Sequence, residues 1–398
     1  MKIRCIQKLY GKIVIDCTGL IIGEQRGRER FICSIIKELA SLRDDRFALL
    51  VNKSSEDYFR ELFGPERCVT APISGRSRLG RVLFEVLLAP LIARLANCQL
   101  WIATNLFPAL GFHCQTAAFV HDLMIFHYPE TFGNVDRLAR QWLIKASIPS
   151  FTSIFTVSEF SRSDILHHFQ KRSSRSVFIV PNGAEPRLGQ PLEPGRDRDI
   201  LDSLGLQSHH FFLSVLGGTP YKNQLGLKHA TENLLNESRS DFPVVVVGDA
   251  AEVFRRIGHP ANLLPVGVVS DEILGVLYRN ASALVFPTFF EGFGIPVIEA
   301  QCIGIPVTCS DLAILREVSG GAALFFDPSS PELIARSMVT IATDDVLRKR
   351  LVEEGKASAA RYTWQAAATR LVEVCSLLLS SSQNDRLSTR RAVSSTRA

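Results

Sequence analysis

The stretch 283–304, ALVFPTFFEGFGIPVIEAQCIG, decides the reading of the chain. Its first six residues, ALVFPT, form the kind of apolar run that a strand buried on both faces shows. FFEGFG then breaks the run with two glycines and sets Glu291 in a turn. IPVIEAQCIG starts a helix, with Pro296 suited to the first helical position and Glu299 in the first turn. Strand, loop and helix in that order are the repeating unit of an open α/β sheet, which places ligands at the carboxyl ends of its strands. Glu291 is therefore expected in a cleft, with Glu299 in the helix behind it. A carboxylate offers two acceptor oxygens that match vicinal hydroxyls, so the pair can grip a ribose and a sugar. Gly292 and Gly294 let backbone N–H groups approach a phosphate closely. On spacing alone the plainer reading weighs equally. Glu299 would then only favour its own helix N-terminus, worth ~0.3–1 kcal/mol, and Glu291 would be a solvated loop acid.

The same unit recurs on either side. Ahead of residue 182, apolar runs read as strands at KIVIDC, RFALLVN, CQLWIAT, TAAFVHD, SIFTVS and VFIVPN, with helical patterns over 28–42 and 158–169. Beyond it the runs are FFLSVLG, PVVVVGD, NLLPVG, ALVFPT, PVTCS and ALFFD. Continuous rather than alternating apolar strands predict parallel sheets covered by helices, hence two doubly wound α/β domains with a cleft between them. The expected division is 1–182 for the first domain and 206–380 for the second. The Pro-, Gly- and charge-rich stretch 183–205 joins them, and a polar tail over 381–398 is expected to be disordered.

At 398 residues, 46% hydrophobic and 21% charged, the composition fits a soluble globular protein. The nearest approach to a membrane span, residues 82–96, is interrupted by Glu85, Pro90 and Arg94. The first residues lack a signal peptide's apolar block, so a cytoplasmic location is expected. Nine scattered cysteines without a C-x-x-C pair read as buried thiols. Charge is uneven: residues 1–180 carry 24 Lys and Arg against 16 Asp and Glu, and residues 181–398 carry 21 against 24. A basic first half can face anionic lipid or an acidic substrate, or be a solvated surface.

Two further residues attract attention by position. Lys222, in GGTPYKNQLGLKHA, follows a strand and opens a helix. A cation there opposes the helix dipole unless a phosphate lies between them; otherwise it is a surface lysine. His121 ends TAAFVHD with Asp122 beside it and is expected to point into the cleft. A lone His at a strand end otherwise caps or fills a core.

The block P-T-x-x-E-G-F-G-I-P-x-x-E-A, with seven residues between its glutamates, resembles the signature of retaining, nucleotide-sugar-dependent glycosyltransferases of family 4, also called group 1. The resemblance is to the mannosyltransferase-like members of bacterial surface polysaccharide assembly. FVHDLMIFHYPETF, FTVSEFSRSDILHHF, IVPNGAE, GGTPYKNQLGLKHA and TWQAAATRLVEVC are similar to further family segments in the same order, from about residue 13 to 376. The resemblance implies a GT-B fold, with the donor between two Rossmann-like domains, and transfer with retention and no essential metal. It implies GDP-mannose as donor, no other cofactor, a lipid-linked or polysaccharide acceptor at the inner face of the membrane, and no nucleic-acid partner. It gives Lys222 the donor pyrophosphate and its leaving-group charge. His121 would contact the donor sugar, with Asp122 as an orienting or capping acid. Glu291 would take sugar hydroxyls and Glu299 the ribose hydroxyls. The backbone N–H groups of Gly292, Phe293 and Gly294 would shape the pocket. No Asp-x-Asp or His/Cys cluster is legible that would hold a metal.

Two departures stand out. The family's first loop reads Gly-x-Gly-Arg-aromatic, whereas here, in RGRERF, Gly27 is kept, Arg28 follows, and Glu29 occupies the second glycine's place. A carboxylate beside a pyrophosphate is repulsive. Glu29 either turns away to pair with a neighbouring Arg, reads the acceptor, or lowers activity. An Arg common near the position of Lys222 is replaced by Gly217, Gly218, Thr219 and Tyr221. The alternative is a degenerate member that binds nucleotide and scaffolds an assembly complex. An epimerase is disfavoured by YKNQ and the glutamate block, and a dehydrogenase by the absence of G-x-G-x-x-G after the first strand. Finally, residues 75–98 put Arg76, Arg78 and Arg81 ahead of an apolar helical stretch. That stretch is either a peripheral membrane contact or a core helix with a basic rim.

Overall fold

A computed structural model describes residues 6–23, 27–74, 78–236 and 242–395. The first sheet has seven strands, β1 Ile13–Cys17, β2 Phe47–Val51, β3 Cys68–Thr70, β4 Leu100–Ala103, β5 Gln115–Phe119, β6 Ser153–Thr156 and β7 Val177–Ile179. The second has six, β8 Phe212–Val215, β9 Val244–Val247, β10 Leu263–Gly267, β11 Ala283–Phe286, β12 Val307–Ser310 and β13 Leu324–Phe326. The first runs β3-β2-β1-β4-β5-β6-β7 and the second β10-β9-β8-β11-β12-β13. Every neighbouring pair is parallel. Both sheets therefore reverse strand order at one point, between β1 and β4 and between β8 and β11. That reversal opens the crevice in which doubly wound sheets hold ligands.

Both faces of the first sheet are covered, which is why its strands read as unbroken apolar runs. Ile13, Ile15 and Cys17 of β1 pack into one cluster with Phe47, Leu49 and Val51 of β2. Val14 turns the other way, onto Ala48, Leu50 and Trp101. Of the thirteen strands, β3 alone goes unanticipated: it has three residues, sits at the sheet edge and lacks an apolar run.

The connection between the domains is more structured than its composition suggests. Within the stretch 183–205, Leu188, Ile200 and Leu201 are buried in the main core, and Arg196–Ser203 is a helix. The chain crosses between the domains twice, side by side. Ala184 N–H donates to the Tyr362 carbonyl at 2.9 Å, and a β-carbon on Gly183 would lie 2.4 Å from the Trp364 nitrogen. Only glycine permits that passage, which ties the PNGAE and TWQ segments together physically. The helix Trp364–Ser395 then returns to the first domain. Its Trp364 ring meets Phe31 edge-on at 5.9 Å, and Arg46 donates to Ser376 Oγ at 3.0 Å. The helix runs on over the stretch 381–395, which composition marks as polar tail.

Candidate active site

Lys222 and Glu291 follow β8 and β11, the two strands that flank the second sheet's reversal, so the topology brings them together across its crevice. Lys222 Nζ lies 2.5 Å from Glu291 Oε1, with the side chains only 18% and 11% exposed. Burial works to lower the Lys222 pKa, but the Glu291 carboxylate, Tyr221 and Asp122 outweigh it and hold the ammonium above its ordinary range. The turn carrying Lys222 is fixed from below: Asn223 donates to the carbonyls of Pro287 at 2.9 Å and Pro328 at 2.7 Å. Asn223 itself has φ +60°, a conformation that asparagine tolerates better than most residues.

Glu299 lies in the helix Ile295–Ile303 with its side chain 2% exposed. Tyr278 O–H donates to its Oε2 at 3.0 Å. Its Oε1 is 3.0 Å from Arg30 Nη2, which reaches over from the first domain. That contact is an ion pair without hydrogen-bond alignment, and both atoms are buried with no hydrogen-bond partner. Burial pushes the Glu299 carboxyl up, and Arg30 and the Tyr278 hydroxyl only partly offset it. A buried, under-satisfied acceptor of this kind suits a diol that donates to it.

From the first domain, His121 and Asp122 follow β5 and meet the glycine loop directly. A β-carbon on Gly292 would lie 2.9 Å from Asp122 Cβ and 3.0 Å from the His121 carbonyl oxygen. The His121 ring is wedged edge-on against Phe31 at 4.8 Å, and its Nε2 is buried without a hydrogen-bond partner. Burial, with Arg28 nearby, lowers its pKa to about 4, so near neutrality it presents an uncharged imidazole. Asp122 Oδ1 accepts from the Met124 N–H at 3.0 Å, closing a local turn at the start of the helix Met124–His127. Burial raises its pKa.

The Ser-rich turn after β6 holds the same loop. Ser158 and Ser161 hydroxyls donate to the Gly292 carbonyl at 2.9 and 3.2 Å. Ser158 also caps the helix Glu159–His168. In return Glu317 of the second domain accepts from the Glu159 and Phe160 N–H groups at 2.8 and 3.0 Å, adding an acid at that helix N-terminus. Phe293 turns its ring inward onto Tyr362, 5.4 Å away, so only its backbone faces the loop. Gly294 has φ +94° and begins the Glu299 helix.

Glu29 and Gly27 both lie in the first turn of the helix Gly27–Leu42. The Glu29 carboxylate accepts from the Gly23 N–H at 2.8 Å, an exposed contact within the first loop. Around Gly27 no described atom lies within 4 Å of where a β-carbon would sit, which leaves that side of the loop open. The fold also assembles a cluster of metal-ligand type that the sequence did not reveal, His127, Asp164 and His168. Sequence reasoning missed Arg30, Tyr278, Ser158, Ser161 and Glu317 as site residues. Arg30 had a signal: it occupies the arginine of the family's Gly-x-Gly-Arg-aromatic loop. The others are placed by tertiary packing alone.

The membrane segment resolves unevenly. Arg76 lies outside the described residues, and Arg78 begins a helix whose first side chains are not described. Arg81 turns inward, donating to the Gly19 carbonyl at 3.4 Å. Leu83, Leu87, Leu91 and Leu95, four residues apart, are each at least half exposed, with Leu88 and Leu110 also exposed. A π-turn over Phe84–Leu88 interrupts this helix, and Phe84, Ile92 and Ala93 face inward. Among the described residues, no helix is long and apolar enough to cross a membrane.

Comparison with known proteins sets this geometry in context. The model of the family described as glycosyl transferases group 1 matches residues 199–358. O-antigen chain mannosyltransferase B of Escherichia coli is 30% identical over 266 residues, covering 65% of this chain and 69% of that protein. O-antigen chain mannosyltransferase RfbU of Salmonella typhimurium is 26% identical over 309 residues, covering 74% of this chain and 81% of that protein. Among solved structures, HepE of Anabaena in complex with UDP and glucose superposes with a TM-score of 0.68 at 17% identity, over 92% of this chain and 100% of that one.

Proposed function

Because the chain belongs to the glycosyl transferases group 1 family, we propose that it moves a hexose with retention from a nucleotide sugar to a lipid-linked or polysaccharide acceptor in cell-surface glycan assembly. The donor is GDP-mannose. The observation that carries the reading is the Lys222–Glu291 pair across the β8/β11 crevice, with Glu299 in the helix that follows. The names of the two mannosyltransferase relatives support the sugar. The UDP and glucose held by HepE support a nucleotide sugar as donor.

In this reading Glu299 accepts from the ribose hydroxyls, which displace Arg30 from its oxygen. Glu291 accepts from hydroxyls of the donor sugar. Lys222 stabilises the negative charge that grows on the diphosphate as the C1–O bond breaks. The acceptor hydroxyl attacks C1 from the same face, the new C1–O bond forms, and its proton passes to the departing phosphate oxygen. His121, uncharged, gives or takes one hydrogen bond at the sugar. The Gly23 N–H that donates to Glu29 offsets part of that carboxylate's charge.

The exposed leucine row supports a peripheral contact with the membrane that carries the acceptor. The functional test is calorimetry with GDP, followed by turnover with GDP-mannose. Glu299→Ala is expected to weaken GDP binding. Glu291→Ala is expected to spare GDP binding and lose transfer. Equal losses of GDP affinity in both variants would overturn this division of roles.

A further inference from the structure

The cluster of His127, Asp164 and His168 lies on the first domain, on elements the transfer reaction does not use directly. Asp164 and His168 are one turn apart on the helix Glu159–His168, so they share a face. His127 ends the short helix Met124–His127. His127 Nε2 is 2.9 Å from both Asp164 carboxylate oxygens, and His168 Nδ1 is 3.1 Å from Oδ1. One ligand atom from each residue can be chosen so that all three lie within 4.8 Å of one another.

The Asp164 side chain is only 9% exposed, and its ion-pair partners among the described residues are these two imidazoles. A divalent ion would bring a double positive charge to this nearly buried carboxylate. In a tetrahedral zinc site with bonds of about 2.0–2.1 Å, neighbouring ligand atoms stand roughly 3.3 Å apart. The imidazole–carboxylate distances are within a few tenths of that. The histidine side chains are 35% and 26% exposed, which leaves them room to close the third edge. His168 Nδ1 also lies 3.0 Å from the Asp164 main-chain oxygen, so coordination through it replaces a proton shared with that carbonyl.

We propose that His127, Asp164 and His168 bind one borderline divalent ion of the zinc type. Two imidazoles and one carboxylate select zinc or cobalt over magnesium or calcium, which prefer all-oxygen shells. Three protein ligands leave a position for water. The role follows from what the cluster touches. The His127 ring stacks on Phe290 at 5.0 Å and 27°, and Phe290 immediately precedes Glu291. The helix bearing Asp164 and His168 carries Ser158 as its cap and Ser161 in its first turns, the two hydroxyls that hold the Gly292 carbonyl. The ion ties these two first-domain contacts of the glycine loop to each other.

The test uses the full chain, treated with chelator and then titrated with Co(II) for its visible ligand-field bands and with Zn(II) by calorimetry. One equivalent is expected, with band intensity of four- or five-coordinate cobalt. Mg(II) is expected to leave both signals unchanged. His127→Ala and His168→Ala should each weaken binding by at least about tenfold, with melting temperatures in chelator close to the parent's as the check on folding. Asp164→Asn should weaken binding while retaining the side-chain shape. Absence of the cobalt bands at millimolar Co(II), or Zn(II) binding that survives both histidine variants, overturns the site.

Discussion

Replacing Lys222 by alanine perturbs two quantities that the structure allows to be separated. The first is stability. The ammonium lies 2.5 Å from Glu291, and both side chains are less than a fifth exposed, so solvent screens the pair only in part. Removing one member of a buried pair costs about 3–5 kcal/mol, chiefly from the stranded partner, and the residual exposure here reduces that to ~2–3 kcal/mol. Glu291→Ala should incur a similar loss, and the double variant less than the sum, because no charge is then left alone. The second is transfer. A charge that meets the diphosphate only as it departs contributes roughly 3–4 kcal/mol, or about 10²–10³ in kcat. If Lys222 serves only to hold Glu291, then Lys222→Ala, Glu291→Ala and the double variant lose the same kcat. If each meets a different part of the donor, the double variant is lower than either. The assay is GDP release at saturating GDP-mannose, with thermal unfolding run in parallel. A Lys222→Ala protein that turns over within about threefold of the parent would refute the leaving-group role, since the mechanism requires at least ~10²-fold.

Three other outcomes follow from the buried charges and the leucine row. Arg30→Met removes the counter-charge of Glu299, whose carboxyl is already pushed up by burial. Because a raised carboxyl pKa gives stability that is lost as pH climbs above the ordinary carboxyl range, the variant should melt a few degrees below the parent at pH 8 and close to it near pH 4. Glu85, in the π-turn, is pushed well up by burial and then by Asp16, and it shares a network with Thr18 and Asn105. By the same sign, Glu85→Gln cannot lose a proton and should raise the melting temperature at pH 8, with the gain vanishing toward pH 4. Replacing both Leu87 and Leu91 by serine should reduce flotation with anionic vesicles at low salt without lowering the melting temperature, since both side chains face solvent. Unchanged flotation would remove this face as the membrane contact.

Much of the fold was legible because parallel strands covered on both faces leave long apolar runs between helical patterns. Twelve of the strands announce themselves in that way. β3 does not, since a three-residue edge strand following Glu66 and Arg67 buries too little to leave a pattern. The joining stretch was read as a linker because prolines and charges dominate it. Leu188, Ile200 and Leu201, which anchor it, are buried but too sparse to register. The site divides on the same line. Lys222, His121 and Glu291 were readable because each follows a strand directly, where topology alone dictates the position. Tyr278 and the His127–Asp164–His168 cluster were not, since their contacts depend on how separate elements pack; Arg30 left a motif signal, but its contact with Glu299 did not. His127 and Asp164 are 37 residues apart in sequence.

Gly292 shows how a correct motif can carry an incomplete physical reason. In the sequence its glycine reads as room for a phosphate to approach the backbone. In the structure that space faces the first domain: any side chain would strike Asp122 and the His121 carbonyl, and the Gly292 oxygen is held by two serine hydroxyls of the same domain. The position therefore couples the two domains as well as shaping the loop. Glu291 next to it is thus set by contacts from both sides, Lys222 from its own domain and the Gly292 clamp from the other. The Lys222–Glu291 pair lies within the second domain and does not itself depend on the Ser158 and Ser161 contacts.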